Sequence, residues 1–154
     1  VNNLTYTTFK VNSLYDLNNV IGSTSASGYS MMANQFGAYR VDWARITCTF
    51  INQRTNPAIV GIGFQLGAPG ALTTWGSLSQ WGTEQPQWAK QRVLSGLQGN
   101  NKTTISKKMS MGRLFGDSLL YKTNTAYVAG WSSNPATVFY GHAYVADATN
   151  SFAI

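Results

Sequence analysis

The sequence predicts an all-β fold, an antiparallel sandwich or barrel. Two observations predict it: helical periodicity is scarce while apolar and polar residues alternate, and turn residues recur about every ten positions. At 154 residues the chain suits a single domain, with nothing in it to mark a boundary between two.

The first candidate strand is Leu4–Val11. Leu4 and Tyr6 fall in one phase and Phe9 and Val11 in the other, which predicts a bulge or twist between them. It ends in Asn12-Ser13-Leu14-Tyr15-Asp16, where Asp16 reads as a turn former, and a loose Gly/Ser/Thr loop follows. Met31–Phe36 reads as a short amphipathic turn leading into a long strand, Tyr39–Asn52. Side chains alternate across a sheet, so Ala44, Ile46, Cys48 and Phe50 share its core face. Val41, Trp43, Arg45, Thr47 and Thr49 take the other face.

In the next strand, Ala58–Leu66, the apolar face is Val60, Ile62, Phe64 and Leu66, opposite Gly61, Gly63 and Gln65. Gly67–Lys90 is the longest irregular stretch and carries Trp75, Trp81 and Trp88. Long loops in compact domains are usually functional or contact surfaces. Large aromatics are costly to leave in water, so these three tryptophans are expected at a subunit interface or packed under the loop.

Gln91–Leu97 and Lys102–Met111 follow. In the latter Ile105, Met109 and Met111 face inward with Lys107 as an awkward companion, and Lys102, Thr104, Ser106, Lys108 and Ser110 face away. The last candidates are Thr125–Trp131 and Thr137–Ala146, where Phe139, Gly141, Ala143 and Val145 alternate with Tyr140, His142 and Tyr144.

Composition narrows the function. The chain has 11 Lys+Arg against 5 Asp+Glu, a formal charge of +6, and only 10% charged residues. Excess positive charge favours nucleic acid or another polyanion, and so much neutral surface points to cover by other chains. One cysteine rules out an internal disulfide, and one histidine beside it makes a conventional zinc site unexpected. Ala58–Leu72 is too short and too broken by glycine and Pro69 to span a bilayer. Asp16, Asp42, Glu84, Asp117 and Asp147 are widely separated, His142 has no acid or nucleophile placed beside it by sequence, and Cys48 reads as a small buried hydrophobe. No catalytic residue, metal or cofactor is expected.

Three blocks carry a family likeness: FKVNSLYDLN with its glycine-bearing loop, MMANQFGAYRVDWARITCTF, and KKMSMGRLFG followed by AYVAGWSS and VFYGHAYVA. In this order they resemble the capsid proteins of small circular Rep-encoding single-stranded DNA viruses, the circovirus-like group. Leu17 stands where that family commonly has proline, and Ala26-Ser27 where it often has Gln-Pro. The resemblance implies one eight-stranded jelly roll of two packed four-stranded sheets. On it Leu4–Val11 is strand C and Tyr39–Asn52 strand D, with strand B before Val1 or in the first residues. The basic arm that precedes strand B in the family is not visible here.

The resemblance further implies a non-enzymatic coat protein found in the virion, and in the host nucleus during assembly. Its partners would be itself, in an icosahedral shell of the smallest lattice, and a circular single-stranded DNA genome, with no membrane. In such shells the B-I-D-G sheet commonly faces inward, with strand I beside strand D. With Thr137–Ala146 as strand I, one inward surface would hold Trp43, Arg45, Lys102, Lys108, Tyr140, His142 and Tyr144. Cations would neutralise phosphates there and bases would stack on rings. An ordinary solvated sheet face accounts for the same residues. Two other functions fit the sequence: the coat of a small RNA or satellite virus, and a carbohydrate-binding jelly-roll lectin.

Overall fold

Ala58–Leu66 becomes an inner strand of the largest sheet: its even residues are apolar, and Gly61 and Gly63 among its odd ones let a neighbour pack closely. The computed structural model describes residues 4–18, 27–66, 87–97 and 99–148. Eight strands occur among them: β1 (Leu4–Lys10), β2 (Ala38–Tyr39), β3 (Trp43–Ile51), β4 (Ala58–Leu66), β5 (Ala89–Leu94), β6 (Lys102–Ser110), β7 (Ala129–Gly130) and β8 (Phe139–Asp147). They form a four-stranded sheet in the order β1-β8-β4-β5, a ribbon β3-β6 and a short pair β2-β7. Every pairing is antiparallel. The all-β expectation holds, with one four-stranded sheet and two ribbons among the described residues in place of two four-stranded sheets.

The ribbon packs on the large sheet through the faces that alternation predicts. Val60, Ile62, Leu94 and Ile105 form one buried cluster, with Ile46, Cys48 and Phe50 of β3 half-buried against it. A second cluster joins Val11, Phe64, Met109, Met111, Tyr121, Tyr127 and Phe139. Gly141 lies between them, where a Cβ would run into the side chains of Ile46 and Val11. Lys107 does sit on the core side, opposite Ile46. Burial, with Lys90 and Arg113 nearby, holds its ammonium below the usual lysine range.

Several expected elements differ. Leu66 is exposed rather than core, being the last residue of β4. The long Tyr39–Asn52 strand is two strands, interrupted where Arg40 turns its Nε to Asp42 Oδ1 at 2.8 Å and its Nη1 to the Lys122 carbonyl. Leu4–Lys10 has no bulge: its register with β8 is unbroken from Leu4↔Ala146 to Lys10↔Tyr140. Tyr6 lies on the face away from the core and Phe9 towards it, so the phase change is a change of apolar face along a regular strand.

The MMANQF turn contributes to helix α1 (Tyr29–Ala33), which buries no residue. After β6 the chain forms α2 (Met111–Phe115), ended by Gly116 at φ 97°, a left-handed position that suits glycine. Helix α3 (Ser118–Thr123) starts at Asp117, whose Oδ1 accepts from the Leu119 and Leu120 N–H groups. The strand expected at Thr125–Trp131 is a 3₁₀ turn, Thr125–Tyr127, followed by the two residues of β7.

The Asn12–Asp16 corner is a buried polar knot. Asn12 donates through Nδ2 to the Thr137 carbonyl at 2.8 Å and accepts the Phe139 N–H at 2.7 Å. Ser13 Oγ donates to Asn134 Oδ1 at 2.6 Å, and Asp16 pairs with Lys10. These bonds satisfy groups that would be costly to bury alone, and they tie the end of β1 to the start of β8.

Candidate nucleic-acid interface

The register between β3 and β6 decides which side chains share the outer face of the ribbon. Trp43↔Ser110, Arg45↔Lys108, Thr47↔Ser106, Thr49↔Thr104 and Ile51↔Lys102 are direct partners, so all ten lie on one face. Every one of them is exposed, Trp43 at 55% and Ile51 at 58%. At the centre, Thr47 and Ser106 hydroxyls hydrogen-bond at 2.8 Å, and those of Thr49 and Thr104 at 2.9 Å. This ladder of hydroxyls is uncharged. Beside it Lys108 carries its Nζ 4.1 Å from the centroid of the Trp43 ring.

Electrostatically the face is one-sided. Arg45 and Lys108 stand directly opposite one another, an arrangement that costs stability unless an anion intervenes. The ion pairs Lys10–Asp16 and Arg40–Asp42 both lie away from this face. The arrangement can do two things: neutralise phosphates with Arg45, Lys108 and Lys102, and offer the Trp43 indole for stacking.

The structure thus brings together Trp43, Arg45, Lys102 and Lys108, and separates them from Tyr140, His142 and Tyr144. The last strand is expected beside β3, but β8 hydrogen-bonds to β1 and β4 and belongs to the other sheet. Its even residues point to the outer side of that sheet, opposite Gly61, Gly63 and Gln65. His142 and Tyr144 are also buried, not presented to solvent. His142 Nδ1 shares a hydrogen bond of 2.9 Å with Thr8 Oγ1, and burial pulls its pKa down to about 4. At neutral pH it therefore brings no charge to a phosphate.

Tyr144 donates its hydroxyl to Gln91 Oε1 at 3.2 Å, and burial pushes its pKa up to about 12. Its ring occupies the space a side chain at Gly61 would need. Tyr140 is half-buried between Lys10 and Gln65 in the register.

Among the expected interface tryptophans, Trp75 and Trp81 lie outside the described residues. Trp88 is half-buried against the second core cluster of its own chain, and its carbonyl accepts the Phe64 N–H at 2.9 Å. Cys48 faces the core side, and burial pushes its thiol up. Among the described residues no group of three or more His, Cys, Asp and Glu is placed to hold a metal ion, and no helix is long and apolar enough to cross a membrane.

Sequence reasoning omits Ile51 from the outer face, although parity continued from Thr49 is enough to include it. It also misses the cations at the β5–β6 side. There Arg92 Nη1 donates to Thr103 Oγ1 at 3.2 Å, and Lys90 lies close enough to Lys107 to shift it. No sequence signal pairs those residues, since β5 and β6 are not ladder neighbours.

Comparison with known protein families, with curated proteins and with solved structures finds no match.

Proposed function

We propose that this chain is a structural coat protein that assembles into a closed shell and packages a single-stranded nucleic-acid genome, lined by the outer face of β3 and β6. The observation that carries the reading is the directly opposed Arg45–Lys108 pair beside an exposed Trp43, with no carboxylate paired to either cation among the described residues. A backbone of phosphates relieves that repulsion, and an unpaired base finds an aromatic surface beside it. The formal charge of +6 acts in the same direction. That the genome is circular DNA rests on the resemblance to circovirus-like capsid proteins, because this face distinguishes phosphates from water and not one sugar from another.

The strand order supports a jelly roll. In that fold strands C, H, E and F form one sheet and D and G are neighbours in the other. The order β1-β8-β4-β5 with β3 beside β6 matches C-H-E-F with D-G. The last strand is then H rather than I, which is why it lies away from β3. Strands B and I have no counterpart among the described residues.

Electron microscopy of the purified protein tests the reading. Uniform closed particles are expected. A stable monomer or small open oligomer under all assembly conditions would overturn it.

A further inference from the structure

A second group of cations gathers away from the ribbon face, on the flank where β5 and β6 approach one another. β5 ends the large sheet and β6 pairs on one side with β3, so both are end strands among the described residues. β6 packs over β4 and β5. Lys90 and Arg92 stand opposite Ile62 and Val60 in the β4–β5 register, which turns them to the inner side with those two core residues. Because they lie on the outermost strand, both side chains run out past the core and are exposed.

Three elements bring their charges to one place. From β6, Lys107 enters on the core side in the phase of Ile105 and Met109, and it is half-buried. Lys90 comes from β5 and Arg113 from α2, and both lie close enough to Lys107 to disfavour its charged form. Helix α2 is held there by packing against β4 and β6. Beside them the Arg92 guanidinium is fixed by its bond to the hydroxyl of the buried Thr103, which leaves further N–H donors on its planar fork. Lys90, Arg92 and Arg113 form no ion pair among the described residues. Arg45 and Lys108 turn to the opposite side of the ribbon, so this group is separate from the ribbon face.

Such a group costs the fold stability. A half-buried ammonium loses hydration, and like charges at its side add repulsion. A methionine in place of Lys107 would suit the apolar phase of Ile105 and Met109 at neither cost. We propose that Lys90, Arg92, Lys107 and Arg113 form a binding site for a phosphate group on the flank between β5 and β6. Cations approaching from three elements suit a tetrahedral anion with several oxygens better than a planar carboxylate, and arginine offers the paired donors that phosphate oxygens accept. The site does not rest on the coat-protein reading. A terminal phosphate of a small molecule and a phosphodiester of a nucleic-acid strand both carry this chemistry.

Lysine labelling tests it, because one experiment reports on both basic surfaces. The full chain would be acylated briefly with acetic anhydride and the rate at each lysine followed by mass spectrometry. The conditions are chloride alone, inorganic phosphate, and a short oligothymidylate, all at one ionic strength. A bound phosphate favours the charged amine, so Lys107 is expected to react about tenfold more slowly. Lys90 should slow with it, while Lys122 on α3 keeps its rate in phosphate. Protection by inorganic phosphate without change at Lys102 and Lys108 assigns the site to free phosphate or a monoester; protection by the oligothymidylate alone assigns it to a nucleic-acid strand. Arg113→Gln, an exposed change, should remove most of the protection of Lys107, and Lys107→Met that of Lys90. Arg54→Gln, which removes the same charge elsewhere, should keep both. No protection of Lys90 and Lys107 by either probe overturns the proposal. So does protection that Arg113→Gln leaves intact, or that Arg54→Gln reduces as much. Oligothymidylate protection confined to Lys102 and Lys108 would uphold the ribbon face and still overturn this site.

Discussion

Lys108 holds its ammonium 4.1 Å from the centre of the Trp43 ring while its backbone partner across the ladder is Arg45. The aromatic contact contributes about 0.5–1 kcal/mol at an exposed site, and the like-charged neighbour offsets much of it. Lys108 is thus placed by the indole at small net benefit to folding, which leaves its charge available to a ligand.

Replacing Arg45 and Lys108 together by alanine should weaken single-stranded DNA binding and flatten its salt dependence. For single strands the log–log slope should fall by about 0.7 for each phosphate that is no longer neutralised. Thermal melting should move little, since both side chains are exposed. Titrations at several salt concentrations check this, and an unchanged slope would remove the ribbon face from the genome-binding surface.

Phe64 is fully buried and packs in the second core cluster. Phe64→Ala should cost about 3–5 kcal/mol, the range of large core truncations. Urea denaturation measures it. A loss under about 1 kcal/mol would mean that the site collapses around the smaller side chain.

Gly61→Ala should destabilise the sheet by about 1–3 kcal/mol, because the new methyl meets the buried Tyr144 ring. The two positions should couple: the same change in a Tyr144→Leu background should cost measurably less. Additive costs in the double-mutant cycle would mean that the ring is not the obstacle.

His142 should make stability fall in mild acid. Its folded pKa of about 4 lies below the unfolded value of 6.5, so the unfolded chain takes up the proton first. The contribution is complete above about pH 6.5 and is lost as pH falls towards 4, with a slope of at most about 1.4 kcal/mol per pH unit. His142→Gln should flatten that part of the profile. Denaturant midpoints measured from about pH 7.5 to 4 decide, and identical profiles for the two proteins would assign the slope to the carboxylates.

Period-two alternation alone determined which residues of β3, β4 and β6 face the core, and so which cations gather on the ribbon. It works there because each strand has one dry and one wet face, and the pattern is written in adjacent residues. Asp117 ahead of Ser-Leu-Leu is a legible helix start that alternation by itself passes over. What only the tertiary structure decided is the neighbour of the last strand. Phe139–Asp147 would alternate in the same way beside β3 or beside β4, so no local signal chooses between the two. The choice is made by distant contacts: the Asn12 bonds that draw β8 to the end of β1, and the missing Cβ atoms of Gly61 and Gly141 that let Tyr144 and Ile46 approach on opposite faces. It moved His142 and Tyr144 from the expected binding surface into a buried hydrogen-bonded layer, because burial depends on which sheet a strand joins and alternation fixes only which way its side chains turn.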